Sequence, residues 1–377
     1  MPWYNDLRPI SDDKKKNFAL VFPAMSDAEK MRCIENLLIL IEALDKEFPT
    51  RRTESNLIIG TWNLKEFGHT TQRLPESYFY IAEIINRFDI ISIQEIKSTL
   101  KDLEIIMRLL GKDWAYMIND ITEGRDGNSE RSGYIYNKKR VQLSGLAGEI
   151  ILWDDLTANS NIKQLKRTPY ITGFISGWKQ FEIVNVHLHP GDDKDDKEWR
   201  FEEVSLLLQA IAHKIKSKHL WSDNIIITGD MNLYHPTANN ENDKPTVELF
   251  NSNGFIELES LIGKDTNATA TQMYDRLFFY INKYFHFVKN TEQQDSGGVF
   301  NYFNHIYRED NFSEYASEMQ KVYGGSTDLT IAENQKKYFR NTWRKNQMSD
   351  HYPVWAEIVI DNSKEFLKEK LVEFGEE

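Results

Sequence analysis

Beyond Arg51 and Arg52 the chain alternates short apolar runs with longer amphipathic ones, the pattern of an α/β domain. Leu57–Trp62, Ile90–Gln94, Phe181–His187 and Asn224–Asp230 are rich in Ile and Val without strict alternation, as strands buried on both faces are. Between them, Ser77–Phe88, Thr99–Leu110 and Trp199–Lys218 carry apolar residues at helical spacing, so helices are expected to cover the sheet.

Ahead of that core, Ser26-Asp27-Ala28-Glu29 forms a capping-box sequence, followed by Ile34, Leu37, Leu38, Ile41, Leu44 and Phe48 at helical spacing. A single amphipathic helix of this kind buries its stripe on its own domain. Residues 1–54 are therefore expected to be a helical extension docked on a main domain of residues 55–361. Within that domain Lys289–Gln347 is polar and aromatic, with Gly-Gly pairs at Gly297 and Gly324. It is too long for a plain loop and is expected to be a partly helical insertion. The tail, 362–377, carries Phe366, Leu367, Leu371 and Phe374 among charges and predicts a short helix.

Composition narrows the class. In 377 residues, 40% hydrophobic and 12% aromatic, there is material for one large core. Lys and Arg number 46 against 58 Asp and Glu, and the formal charge of −12 argues against a protein that coats nucleic acid by bulk electrostatics. An enzyme that must release its product can still work with a local basic rim and a bound cation. Cys33 is the one cysteine, which excludes an intrachain disulfide and a cysteine-based zinc cluster. The first residues lack a basic segment followed by an apolar one, and no run reaches the roughly 18 to 20 apolar residues of a membrane span. A cytoplasmic protein without membrane partners is the expectation.

Several of the apolar runs end in a polar residue able to meet metal or phosphate. Asn63 follows IIGTW, Glu95 follows IISIQ, His187 follows EIVNV and Asp230 follows IIITG. Ligands collect beyond the strand ends of α/β sheets, so residues distant in sequence can converge there. Any one of them alone would more often be a turn former or a helix cap. Taken with Asn232, Tyr274-Asp275-Arg276 and Ser349-Asp350-His351, they form a set. Oxygen donors of this kind suit Mg²⁺, Mn²⁺ or Ca²⁺, and Glu95 is the principal candidate ligand.

WNLKEFG, ISIQEIK, VNVHLHPGDD, TGDMNLY, YDRLFF and MSDHYPVWAEI, in that order over about Asn56–Asp361, resemble the successive motifs of the DNase I-like endonuclease/exonuclease/phosphatase superfamily. The resemblance implies a four-layer sandwich of two packed mixed β-sheets flanked by helices. It adds Asn63 and Asp350 to Glu95 as metal residues, and it pairs His351 with Asp275. It makes His187 the second acid–base histidine, with a carboxylate partner near Asp120. Asp230 would orient the attacking water, Asn232 would donate its amide to phosphate, and Arg131 would contact phosphate, with Lys97 able to do similar work. His189 competes for the role of His187, but the strand leads directly into His187. His69, His189, His213, His219, His235, His286 and His305 carry no such context and are expected to be structural or exposed.

TQMYDRLFF matches the DNase version of its motif, and the stretch from Asp120 through Glu130-Arg131 to Tyr136 is similar to the same family member. Nucleic acid is thus the expected substrate, DNA ahead of RNA, using Mg²⁺ or Mn²⁺. A ribonuclease, a phosphatase acting on a small ester such as an inositol phosphate, and a catalytically silent scaffold are the alternatives. Tyr338-Phe339-Arg340 to Trp343-Arg344-Lys345 could stack bases or pack its aromatics inward; the sequence leaves both open.

Overall fold

The computed structural model describes every residue except 1, 14–19, 53, 69–71, 123–128, 221, 236–242 and 376–377. Among the described residues eleven strands are formed: β1 Asn56–Phe67, β2 Ile90–Lys97, β3 Trp114–Ile118, β4 Glu130–Asn137, β5 Gln142–Glu149, β6 Tyr170–Ser176, β7 Lys179–His187, β8 Ile225–Asp230, β9 Asp275–Tyr280, β10 Gly297–Val299 and β11 Val354–Val359. One sheet has the order β10-β11-β1-β2-β4-β3 and the other β5-β6-β7-β8-β9. Each is mixed, with β1/β2 and β7/β8 parallel among antiparallel neighbours.

Side-chain alternation explains the runs of Ile and Val. Leu57 and Ile59 of β1 and Ile226 of β8 face a core between the sheets, shared with Tyr134, Phe174, Phe181 and Phe279. Ile58, Trp62 and Leu64 of β1 face the opposite way, under the helices Asp27–Glu47, Pro75–Ile85 and Lys101–Leu110. Ile225 and Ile227 lie likewise under helix Lys194–Lys216. Both faces of each central strand are dry, which gives the four layers of helix, sheet, sheet and helix.

The helix Asp27–Glu47 has the expected capping box, Ser26 accepting from Glu29 N and Glu29 Oε2 from Ser26 N at 2.8 Å. Its buried stripe is rotated from the expected one. Leu37, Leu44 and Phe48 are buried as anticipated, together with Cys33, Leu40 and Ala43, whereas Ile34 is 37% and Leu38 63% exposed. Apolar identity alone does not distinguish the seam from its edge, and the small Cys33 and Ala43 mark the close contact.

The segment 289–347 does not stand off the core. It opens with β10, which pairs with β11 and brings Gly298 so close to Trp355 that a Cβ there would lie 2.9 Å from the indole. The chain then winds through short helical turns that bury Tyr302, Tyr307, Tyr315, Phe339 and Trp343 against the N-terminal helix. Phe339 stacks on both Trp343 and Tyr315, Trp343 meets Tyr315 at a tilt, and Arg344 is buried beside Glu309. Of the two readings of this stretch, inward packing is the one observed for these two rings. The C-terminal helix Ser363–Gly375 holds Phe366 against Trp178 and Tyr284 and leaves Leu367, Leu371 and Phe374 exposed. Among the described residues no helix is long and apolar enough to cross a membrane.

Candidate functional site

Strand register brings the key polar residues together. His187 of β7 lies opposite Asp230 of β8, and Asp230 lies opposite Asp275 of β9, so one end of the second sheet carries three candidate residues on adjacent strands. At the facing end of the first sheet Asn63 lies opposite Gln94. The β7/β8 approach depends on Gly229, at φ +141°, where a Cβ would stand 1.9 Å from the carbonyl oxygen of Val186.

Asp350 and His351 sit in the loop before β11, and that loop is pinned from beneath. Trp62 Nε1 donates to His351 O at 2.9 Å, and Tyr302 OH donates to Ser349 O at 2.7 Å and His351 O at 2.9 Å. Ser349 Oγ donates to Asn63 O at 2.7 Å, and Arg73 donates to the carbonyls of Gln347 and Met348. Tyr302→Phe would leave the buried Ser349 carbonyl without its phenolic donor, while His351 O keeps the Trp62 indole. The substitution is expected to destabilise the fold by about 1–3 kcal/mol, visible as a lowered Tm, and to reduce activity through a loosened His351.

The site itself is a line of alternating carboxylates and imidazoles. Glu130 Oε1 lies 2.6 Å from His187 Nδ1, and Asp275 Oδ2 lies 2.7 Å from His351 Nδ1. Both Nε2 atoms turn toward Asp230 Oδ2, at 3.5 Å from His187 and 3.6 Å from His351. Asn63 Nδ2 donates to the same oxygen at 2.9 Å, while Asp230 Oδ1 accepts from Asn232 N at 3.0 Å. Burial by itself would lower the pKa of each histidine, but Glu130 for His187, and Asp275 with Asp230 for His351, more than offset it and raise both. Burial drives Asp275 up, against the pull of the His351 cation. Glu130 goes the other way, to about 2: burial opposes ionisation, but His187, Arg167 and Lys97 outweigh it.

The partner of His187 is thus Glu130 and not Asp120. Asp120 is exposed beyond β3 and accepts from the amide of Ile121, whereas Glu130, at the start of β4, is registered against Lys97 of β2 and points inward. Arg167 was not anticipated. Its Nε lies 2.5 Å from Glu130 Oε1 and its Nη1 donates to Leu188 O, so a buried guanidinium braces the carboxylate that braces His187. The neighbouring Glu130-Arg131 pair was visible in the sequence, but Arg167 stands in a segment with no strand-end signal. Lys97 Nζ is 3.5 Å from Glu130 Oε2, and Arg131 Nη1 donates to the carbonyls of Lys97 and Ser98. His189 turns away to Asp196 at 2.8 Å. His69 lies outside the described residues.

Glu95 and Asn63 lie side by side, with Asn63 Nδ2 donating to Glu95 Oε1 at 3.0 Å. Lys65 and Glu66 both have positive φ, folding the end of β1 so that their amides donate to Asn63 Oδ1 and Glu95 Oε2. Glu95 (φ +59°) and Asn232 (φ +50°) are also held in the left-handed region, a conformation that costs energy outside glycine and gathers at functional sites. Asp350 Oδ2 lies 3.3 Å from Lys65 Nζ. The donor set of Glu95, Asn63 and Asp350 is all oxygen, as a hard divalent cation requires, and the Lys65 ammonium shows that positive charge is accommodated at Asp350. Asn63, with its amide nitrogen toward two carboxylates, would have to turn over to offer its oxygen. Asp230, Asp275 and His351 also bring ligand atoms within 4.8 Å of one another. A cation there would displace the proton that His351 shares with its carboxylates, so this trio suits proton chemistry better.

No family model matches the chain. It is 28% identical to human deoxyribonuclease-1 over 173 residues, covering 40% of this chain and 59% of that protein. It is 25% identical to Bos taurus deoxyribonuclease-1 over 235 residues, covering 59% of this chain and 76% of that one. The match therefore spans less than two thirds of the human relative's length. Among solved structures, an endonuclease/exonuclease/phosphatase family protein from Bacteroides thetaiotaomicron is 18% identical with a TM-score of 0.48, over 81% of this chain and 98% of that one. With the deoxyribonuclease-1 matches added to six motifs in order and two packed mixed sheets that bring their polar residues to one end, the chain is similar, in motifs and in fold, to the DNase I-like endonuclease/exonuclease/phosphatase superfamily.

Proposed function

We propose that the chain is a divalent-metal-dependent phosphodiesterase that hydrolyses DNA by an activated water. The observation that carries this reading is the line Glu130–His187–Asp230–His351–Asp275, in which two carboxylate-backed imidazoles face one central carboxylate. Hydrolysis of a phosphodiester needs a base for water, positive charge around a five-coordinate phosphorus and a proton for the leaving oxygen. Asp230 is placed to hold the water and accept its proton. The carboxylates beside them favour the cationic form of His187 and His351, whose Nε2–H groups could then stabilise phosphate oxygens and protonate the leaving one. Asn232 adds an amide from the same turn, and Arg131 supplies positive charge at the rim, while Lys97 is buried against Glu130 and helps to hold that carboxylate. A cation held by Glu95, Asp350 and Asn63 would neutralise charge on the phosphate and orient it.

DNA as the polymer rests on the deoxyribonuclease relatives and on the YDR motif. The purified chain should nick plasmid DNA in Mg²⁺ or Mn²⁺, lose that activity in EDTA and regain it when metal is restored. Cleavage unaffected by chelation would sink the metal-dependent mechanism. Turnover of RNA or inositol phosphates in place of plasmid or single-stranded DNA would move the substrate and keep the hydrolase.

A further inference from the structure

Lys65 stands where a cation is wanted. Its ammonium is 3.3 Å from Asp350 Oδ2, in a side chain about a third exposed, at the mouth of the site rather than in the core. The backbone puts it there by an unusual route. Between the pairs Asn63↔Gln94 and Phe67↔Ile96 the ladder is out of register, with three residues of β1 facing one of β2. Lys65 and Glu66 take up the excess with positive φ, and their amides close on Asn63 Oδ1 and Glu95 Oε2. The bulge thus fixes the Asn63 and Glu95 side chains by backbone hydrogen bonds, and the same bulge carries the lysine side chain to Asp350. Strained bulges beside functional sites re-aim side chains in this way. A second lysine, Lys345, lies within the field of both Asp350 and Lys65.

From this juxtaposition we infer that Lys65 is an exchangeable internal counter-ion of Asp350, which neutralises the carboxylate before the metal arrives and leaves it when the metal binds. The inference rests on the metal-dependent reading above. An ammonium and a divalent cation at the same carboxylate repel each other, so each weakens the other's hold, and the weakening is reciprocal. A lysine suits the part, because its compact charge on a flexible stem can move without disturbing the backbone that positions it. Once displaced, it remains at the mouth of the site, where an incoming phosphate would need positive charge. Asp350 would therefore be paired before and after loading, and the site would not accumulate unneutralised acid in either state.

The test is Mn²⁺ uptake by the whole chain without substrate, read as loss of the free-ion electron paramagnetic resonance signal. Lys65→Met should bind Mn²⁺ about ten-fold more tightly than the original chain, and Mn²⁺ should raise its Tm further, because binding to the folded state alone stabilises it. Lys65→Arg, which restores a cation of similar reach, should return the affinity toward its starting value. In an Asp350→Asn background the gain from Lys65→Met should vanish. Equal or weaker uptake by Lys65→Met, or a gain that survives Asp350→Asn, overturns the exchange while leaving metal dependence standing. Absence of Mn²⁺ uptake by all of these proteins overturns both.

Discussion

His351→Ala is expected to lower kcat on a phosphodiester by roughly 10³-fold or more, with KM changed far less. The asymmetry follows from what Nε2 does. In the proposed mechanism it would meet an oxygen whose charge develops only as the phosphorus becomes five-coordinate, so its loss would fall on the transition state and not on ground-state binding. The substitution also strips Asp275, fully buried, of the imidazole 2.7 Å away. Histidine's ordinary pKa is near 6.5, and here it is raised well above that. A raised folded pKa means that the cation's contribution to stability is complete below the unfolded value and is lost as pH rises through the folded one. The Tm deficit of His351→Ala should therefore be largest in acid and shrink in alkali, and the original chain's rate should decline as alkali deprotonates the imidazolium. Steady-state kinetics and melting curves across pH test both parts. An unchanged kcat would remove His351 from the chemistry.

How much of this was written in the sequence differs from residue to residue. The central strands were legible because burial on both faces selects Ile and Val, and their polar ends marked His187, Asp230 and Glu95 directly. Edge strands such as β5, in which Gln142 and Gly145 are exposed and Ser144 is half-buried, offer little periodicity to read. The direction of Asp275 toward His351 came from the family likeness, and the structure gives it a physical basis in the register of β8 with β9. The partner of His187 was misplaced for an instructive reason. Asp120 and Glu130 both lie close to the β3–β4 connection, and only the pairing of β4 with β2 decides which side chain points into the site. Arg167 and Tyr302 were invisible for a different reason. Their roles are to hold other functional groups in place, and a brace has no spacing relative to what it braces. Tyr302 belongs to a segment whose polar and aromatic length suggests only a partly helical insertion, yet it anchors the loop bearing Asp350 and His351.

Glu130→Gln separates the two carboxylates cleanly. It is expected to lower kcat by roughly 10²-fold, whereas Asp120→Asn should leave kcat and Tm as they are. The glutamine keeps the shape and can still accept from His187 Nδ1 through its amide oxygen. It loses the charge that holds the imidazole cationic, and with its oxygen facing both His187 and Arg167 its amide nitrogen confronts the Lys97 ammonium. The effect on stability has a definite sign. Burial opposes ionisation of Glu130, yet His187, Arg167 and Lys97 hold its pKa at about 2, below the ordinary 4.5. A depressed folded pKa gives stability that is present above the unfolded value and is lost as pH falls from about 4.5 through about 2. At about 1.4 kcal/mol per pH unit this amounts to something on the order of 3 kcal/mol at neutral pH, shared with His187 because the two shifts describe one interaction. Glu130→Gln should therefore melt well below the original chain at pH 7, and the two curves should converge as acid neutralises the glutamate. A Glu130→Gln protein with full activity would show that the imidazole needs no charge behind it. Loss of activity in Asp120→Asn would mean that the loop carboxylate reaches the site when substrate is bound.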